Sequence, residues 1–141
     1  MNTNIGVSPQ QIKSLIQEAI EARKQTYSPY SKFGVGAAVL SGGKVYRGCN
    51  IENASYGATI CAERTAIFKA ISEGNRTIEM IAITAGEDNY GHPCGMCRQV
   101  MREFSDPKKL IVIVAKSQED YKTYTLEELL PNSFGPDDLS E

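Results

Sequence analysis

The sequence predicts an α/β fold, a three-layer α/β/α sandwich with helices on both faces of a five-stranded mixed sheet. Three observations carry the prediction. Helical and strand-like periodicities alternate from one end to the other, the opening segment is amphipathic, and two later runs are apolar almost without interruption. At 141 residues the chain fits one domain over 1–141 and can bury a core without disulfides.

The opening helix has a legible start. Ser8 serves as N-cap, Pro9 falls in the first turn where its missing N–H is harmless, and Gln11 completes a capping box. Ile12, Leu15, Ile16, Ala19 and Ile20 then recur at helical spacing and form one apolar face. Tyr27-Ser28-Pro29-Tyr30 ends it, because a residue before proline resists helical geometry. Residues 35–40 and 44–49 read as two strands linked through Ser41-Gly42-Gly43, a hairpin signal. Residues 50–59 are rich in Asn, Ser and Gly and read as loop. A second helix is expected from about residue 61 to 72, with Ala62, Ala66, Ile67, Ala70 and Ile71 inward and a stop near Gly74. Residues 80–85 and 110–114 are nearly continuous apolar runs, as in strands buried on both faces. Between them, 86–92 is loop and Pro93 opens a third helix bearing Cys97, Val100, Met101 and Phe104. Residues 121–125 read as a short edge strand, 126–130 as a short helix, and 131–136 as turns.

Fifteen basic and seventeen acidic residues leave a net charge of −2 and a pI near 5.5. No block of like charges stands out, which argues against a nucleic-acid polymer or an anionic membrane as partner. The first residues lack a basic stretch followed by an apolar run, so no secretory leader is expected. No apolar run reaches membrane-spanning length. Four cysteines without a secretory signal favour metal or redox chemistry in a reducing compartment, and the cytoplasm is the expected location.

Three of the cysteines fall as Cys61-Ala62-Glu63 and Pro93-Cys94-Gly95-Met96-Cys97. A structural Zn²⁺ normally has four protein ligands, whereas a catalytic one has three and an open position. Cys61, Cys94 and Cys97 are therefore candidate ligands of one catalytic Zn²⁺, and Glu63 is the candidate proton carrier for metal-assisted hydrolysis. Three thiolates would leave the ion a weak Lewis acid unless charge is drawn off. Both clusters sit where helices are expected to begin, and helix N-termini stabilise thiolates. Arg64 and Arg98 are neighbouring donors that could assist. A lone C-x-x-C reads equally as structural zinc or a redox pair; the third cysteine and the glutamate favour catalysis. Cys49, in a strand with no partner at ligand spacing, reads as a small buried hydrophobe. His92 is awkwardly placed to share an ion with the cysteines beside it.

With these residues in view, the chain resembles the small homotetrameric cytidine deaminases. The likeness rests on Cys61-Ala62-Glu63-Arg64-Thr65-Ala66 and on Pro93-Cys94-Gly95-Met96-Cys97-Arg98-Gln99-Val100. It extends to Tyr30-Ser31-Lys32-Phe33, to Gly48-Cys49-Asn50-Ile51-Glu52-Asn53-Ala54, and to the tail Glu127-Glu128-Leu129-Leu130-Pro131 with Ser133-Phe134-Gly135-Pro136. The resemblance implies zinc on Cys61, Cys94 and Cys97, proton transfer by Glu63, and hydrogen bonds from Arg64 to the thiolates. It further implies that Phe33 packs on the pyrimidine, that Asn50 and Glu52 hold the ribose hydroxyl, and that the backbone at Ala62 reads the base. Ala54, Tyr56 and Phe134 would come from neighbouring subunits. The implied reaction is hydrolytic deamination of cytidine and deoxycytidine in pyrimidine salvage. The chain departs from the family in having His92 where serine is usual and Met96 where a small residue is usual. Deamination of another aminopyrimidine, deamination of a polynucleotide and a non-catalytic zinc scaffold are the competing functions; only the last would have no use for Glu63.

Overall fold

The structure, a computed structural model, describes residues 6–139. The segment from which the lack of a leader was inferred begins at residue 1 and so lies largely outside the described residues. Helix α1 spans Pro9–Arg23. Its capping box forms as expected: Ser8 Oγ accepts from the Gln11 N–H at 3.2 Å, and Gln11 Oε1 accepts from the Ser8 N–H at 3.1 Å. Strands β1 (Gly36–Ser41) and β2 (Lys44–Cys49) pair antiparallel, Ser41 opposite Lys44. The two residues between them, Gly42 and Gly43, take φ of +59° and +76°. Paired left-handed residues give the hairpin turn whose twist matches the strands, and only glycine adopts it without strain.

Helix α2 (Ala62–Ser72) follows, then β3 (Met80–Thr84), α3 (Gly95–Glu103), β4 (Ile111–Ala115), β5 (Tyr121–Thr125) and the short α4 (Leu126–Leu129). The stop near Gly74 is a Schellman closure. The Gly74 N–H donates to the Ile71 carbonyl and the Asn75 N–H to the Ala70 carbonyl, both at 3.0 Å. The sheet runs in the order β2-β1-β3-β4-β5. Among the described strands of this sheet only β3 and β4 pair in parallel, so the sheet is mixed.

Strand periodicity sorts the core into two sides. Ala38, Ala82 and Ile113 face α1, against Ile12, Leu15, Ile16 and Ala19. Ala37, Val39, Ile81, Ile83, Val112 and Val114 face the other way, against Ala62, Ala66 and Ile67 of α2 and Cys97 and Met101 of α3. Every residue of β3 and β4 is buried, which is why those runs carry no polar alternation. Each fully buried Ile or Val contributes about 1.5–3 kcal/mol by leaving water.

Two glycines let the helices settle directly on the sheet. A Cβ on Gly36 would lie 2.1 Å from the Ala19 carbonyl of α1, and one on Gly48 would lie 2.4 Å from the Ala66 nitrogen of α2.

The boundaries correct the expectations in small ways. Pro93 does not open α3: Cys94 is the N-cap, extended at φ −71° and ψ 171°, and the helix begins at Gly95. The first and fourth strands each lie one residue further on than their apolar runs. Single 3₁₀ turns at Tyr56–Ala58 and Pro136–Asp138, too short for any period to register, fall within the expected loop 50–59 and at the end of the expected turns 131–136. Cys49 ends β2 half-buried, and burial raises its thiol pKa.

Candidate metal and catalytic centre

Cys61 is the N-cap of α2 and Cys94 the N-cap of α3, while Cys97 lies in the first turn of α3. Two helix starts thus converge on one point. The three sulfurs lie within 4.8 Å of one another, with Cys61 and Cys94 3.9 Å apart. Sulfurs bonded to one tetrahedral Zn²⁺ at about 2.3 Å sit about 3.8 Å apart. The spacing and the soft, ionisable donors therefore fit one zinc ion, and three ligands leave a coordination position for solvent.

The electrostatics suit thiolate formation. Cys61 is pulled down to about 5, first by its hydrogen bond with Cys97, then by that from Arg64, against the cost of burial. Cys97, wholly buried, is pushed up, because it donates in that pair, is desolvated and faces the charge of Glu63. Ionising both thiols beside each other needs a positive charge, which a bound divalent cation would supply. Arg64 Nη2 donates to Cys61 Sγ at 3.4 Å, and Nε of the same guanidinium is buried without a hydrogen-bond partner among the described residues. Arg98, expected to assist the thiolates, is spent elsewhere. Its Nε donates to the Pro93 carbonyl at 2.8 Å and its Nη1 to the Leu129 carbonyl at 2.7 Å, so it braces the approach to Cys94.

Glu63, in the first turn of α2, is only 5% exposed. Burial raises its carboxyl to about 7, with the Cys61 charge adding to the effect and the backbone N–H and Arg64 opposing it. A carboxyl that titrates near neutrality can both take and give a proton. His92 does not join the thiols; its Nε2 lies 3.1 Å from the Tyr124 hydroxyl.

Residues 9–114 match the profile of the cytidine and deoxycytidylate deaminase zinc-binding region. A cytidine deaminase of Halalkalibacterium halodurans is 52% identical over 128 residues, covering 90% of this chain and 96% of the relative. One of Sporosarcina psychrophila is 46% identical, covering 92% and 95%. The crystal structure of cytidine deaminase from Burkholderia pseudomallei superposes with a TM-score of 0.80 at 45% identity, covering 86% of this chain and 97% of that one. This chain belongs to the cytidine and deoxycytidylate deaminase family.

Of the remaining residues to which the deaminase resemblance points, Phe33, Asn50, Glu52, Ala54 and Tyr56 lie in the segment Pro29–Phe33 and the loop after β2. Glu52 accepts from the backbone N–H of Tyr30 at 2.9 Å and of Ser31 at 3.1 Å, and from the Ser31 hydroxyl. These donors, the Ser31 hydroxyl first, hold its carboxyl below the usual range. The Asn50 amide is almost saturated. Its Nδ2 donates to the Phe33 carbonyl at 2.7 Å, and its Oδ1 accepts from the Val35 N–H at 2.8 Å and from the Thr26 hydroxyl. Among the described residues its second Nδ2 hydrogen has no partner.

Tyr56, expected to serve a neighbouring subunit, lines a hollow of about 350 Å³ with Tyr30, Ser31, Glu52 and Thr59 of its own chain. Phe33, 47% exposed, lines a separate hollow of about 600 Å³ between α1 and the loop after β3. That larger hollow holds none of the thiols, so donor chemistry and not volume locates the reaction. Ala54 and Phe134 are exposed, and Ala62 is buried at the start of α2. Sequence reasoning gave no role to Ser31, Thr26 or Gln99, whose partners became visible only through contacts remote in the chain. For Ser31 and Gln99 the signal was present: they stand inside the Tyr30-Ser31-Lys32-Phe33 and Pro93 to Val100 motifs.

Proposed function

We propose that this chain hydrolyses cytidine and deoxycytidine to uridine and deoxyuridine, releasing ammonia, in pyrimidine salvage. The observation that carries this is a buried carboxyl, Glu63, in the first turn of a helix that starts at a three-thiol cluster. A Zn²⁺ held by Cys61, Cys94 and Cys97 supplies Lewis acidity that activates water near neutral pH. Glu63 takes a proton from the attacking water and passes it to the pyrimidine ring nitrogen; it then takes the second proton from the hydroxyl now on the ring carbon and gives it to the departing amine as the carbonyl forms. One water enters and one ammonia leaves, with no change of oxidation state. Arg64 offsets thiolate charge through its bond to Cys61.

The backbone at Ala62 orients the base and Phe33 packs against it. The free Asn50 amide hydrogen donates to a ribose hydroxyl, whose own hydrogen Glu52 accepts. Ala54, Tyr56 and Phe134 close the pockets of neighbouring copies in a homotetramer. The 76% exposure of Tyr56 and 58% of Phe134 in the single chain supports such a shared surface. Among the described residues no helix is long and apolar enough to cross a membrane. We place the protein in the cytoplasm, where thiol ligands stay reduced, and read residues 1–141 as one deaminase domain.

Zinc per chain and the ultraviolet loss of cytidine, measured before and after chelation, test the proposal. Glu63→Gln should keep its zinc and lose roughly 10²–10⁴-fold in turnover. Near-normal turnover in that variant, or full activity after complete chelation, would sink it.

A further inference from the structure

The tail that carries Phe134 is held by the same helix that carries Cys97. Arg102, in the last turn of α3, is 8% exposed. Its Nε donates to Ser133 Oγ at 2.9 Å and its Nη2 to Asp137 Oδ1 at 2.7 Å. The guanidinium lies against Gly135: a Cβ there would stand 2.2 Å from Cζ and 2.4 Å from Nη1. One turn earlier, Gln99 Nε2 donates to the Phe134 carbonyl at 2.8 Å. Among the described residues the tail itself has one 3₁₀ turn, Pro136–Asp138, closed by the Gly135 N–H donating to Asp138 Oδ2 at 2.8 Å. Its backbone on both sides of Phe134 is therefore fixed from α3, while the Phe134 ring projects into solvent.

Burying a guanidinium is costly unless its donors are met. A planar fork meets two acceptors in fixed directions, which a lysine ammonium cannot reproduce. A buried cation that spends its donors on an otherwise irregular tail aims that tail. We propose that Arg102 is a positioning residue acting in trans: by fixing residues 133–137 it sets the Phe134 ring that closes the nucleoside pocket of a neighbouring copy. This rests on the proposed sharing of Phe134 between copies, and it assigns to Arg102 an effect on a reaction centre other than its own.

The test uses zinc-loaded mixed assemblies made by co-expressing two differently tagged chains. Alone, Arg102→Met should raise KM for cytidine about tenfold, the worth of one base–aromatic contact, with kcat and zinc content little changed. Arg102→Lys should not rescue it. Mixed with excess Glu63→Gln chains, which are inactive but have an intact tail, the Arg102→Met active sites should return to the wild-type KM. A KM that stays raised in the mixture means that Arg102 acts only within its own chain, and overturns the inference. Phe134→Ala is run in parallel. If excess Glu63→Gln chains fail to restore Phe134→Ala, the shared pocket itself is wrong; if they restore Phe134→Ala but not Arg102→Met, only the role of Arg102 fails. Should Arg102→Met not fold, Ser133→Ala, which removes a single bond to the same guanidinium, is expected to show a smaller KM rise with the same recovery. An unchanged KM in Ser133→Ala would then overturn the inference.

Discussion

Gly48 in β2 lies against the backbone of α2, so one added methyl group tests how the helix bearing Glu63 is seated. In Gly48→Ala the new Cβ would stand 2.4 Å from the Ala66 nitrogen, 2.6 Å from the Ala62 carbonyl oxygen and 2.9 Å from the Ala66 Cα. Non-bonded carbon contacts are comfortable near 3.5 Å. The first turns of α2 must therefore retreat by about 1 Å, since all three obstructing atoms are backbone and cannot rotate away. Gly48 is absent from the positive-φ glycines, so alanine suits its backbone and the effect is purely steric. Overpacking of this kind costs about 1–3 kcal/mol, a fall in Tm of roughly 3–12 °C for a chain of this length. The displaced segment holds Ala62, Glu63 and, at its N-cap, Cys61. A shift of about 1 Å in a reacting group costs about 10²-fold in rate. Thermal melting, zinc stoichiometry and kcat for cytidine should be measured on the same preparation. A variant with wild-type Tm and kcat would refute the claim that contact at Gly48 seats α2.

Three further outcomes follow from the site and its surroundings. Arg64→Ala removes the donor to Cys61 and should weaken zinc binding by roughly 10–100-fold; unchanged competition against a chromophoric chelator would contradict this. Ser31→Ala strips Glu52 of its hydroxyl donor but leaves two backbone N–H bonds. KM should rise roughly 3–10-fold with kcat nearly constant, and a fall in kcat at unchanged KM would count against a binding role for Glu52. Asp137 is held below its ordinary 3.8, chiefly by Arg102. A depressed folded-state pKa stabilises above the unfolded value and is lost as pH falls through the folded one. The Tm gap between wild type and Asp137→Asn should therefore be widest above about pH 4 and close on further acidification; a gap persisting at pH 2 would refute the pairing.

Legibility in the sequence followed the distance between partners. The start of α1 could be read because Ser8, Pro9, Gln11 and the apolar face lie within a few turns of one another. The thiol cluster could be read because its ligands come in two short, chemically unusual strings, each at a helix start. Arg98 was misread for the opposite reason. Sitting beside Cys97, it looked like a neighbour of the sulfurs, yet the helix turns its guanidinium back to Pro93 and on to Leu129, 31 residues away. The partners of Asn50 and Arg102 lie 15 to 35 residues distant, and no local period encodes such pairs. Pro93 misled by one step, since a proline can precede an N-cap as readily as it can occupy the first turn.

Asn50 joins the turn after α1 to the segment that leads into β1 through one side chain. Its amide stitches Thr26, Phe33 and Val35 together, and a single hydrogen is left over. Any replacement there would unpick the scaffold and the proposed sugar contact at once, so the two effects could never be separated in a library screen. Whoever wishes to retune this protein toward altered sugars would do better to vary Ser31 and Glu52 as a pair: their mutual contact lies at the surface, and the backbone that a replacement must still hold is the short stretch of Tyr30, Ser31 and Phe33 N–H groups.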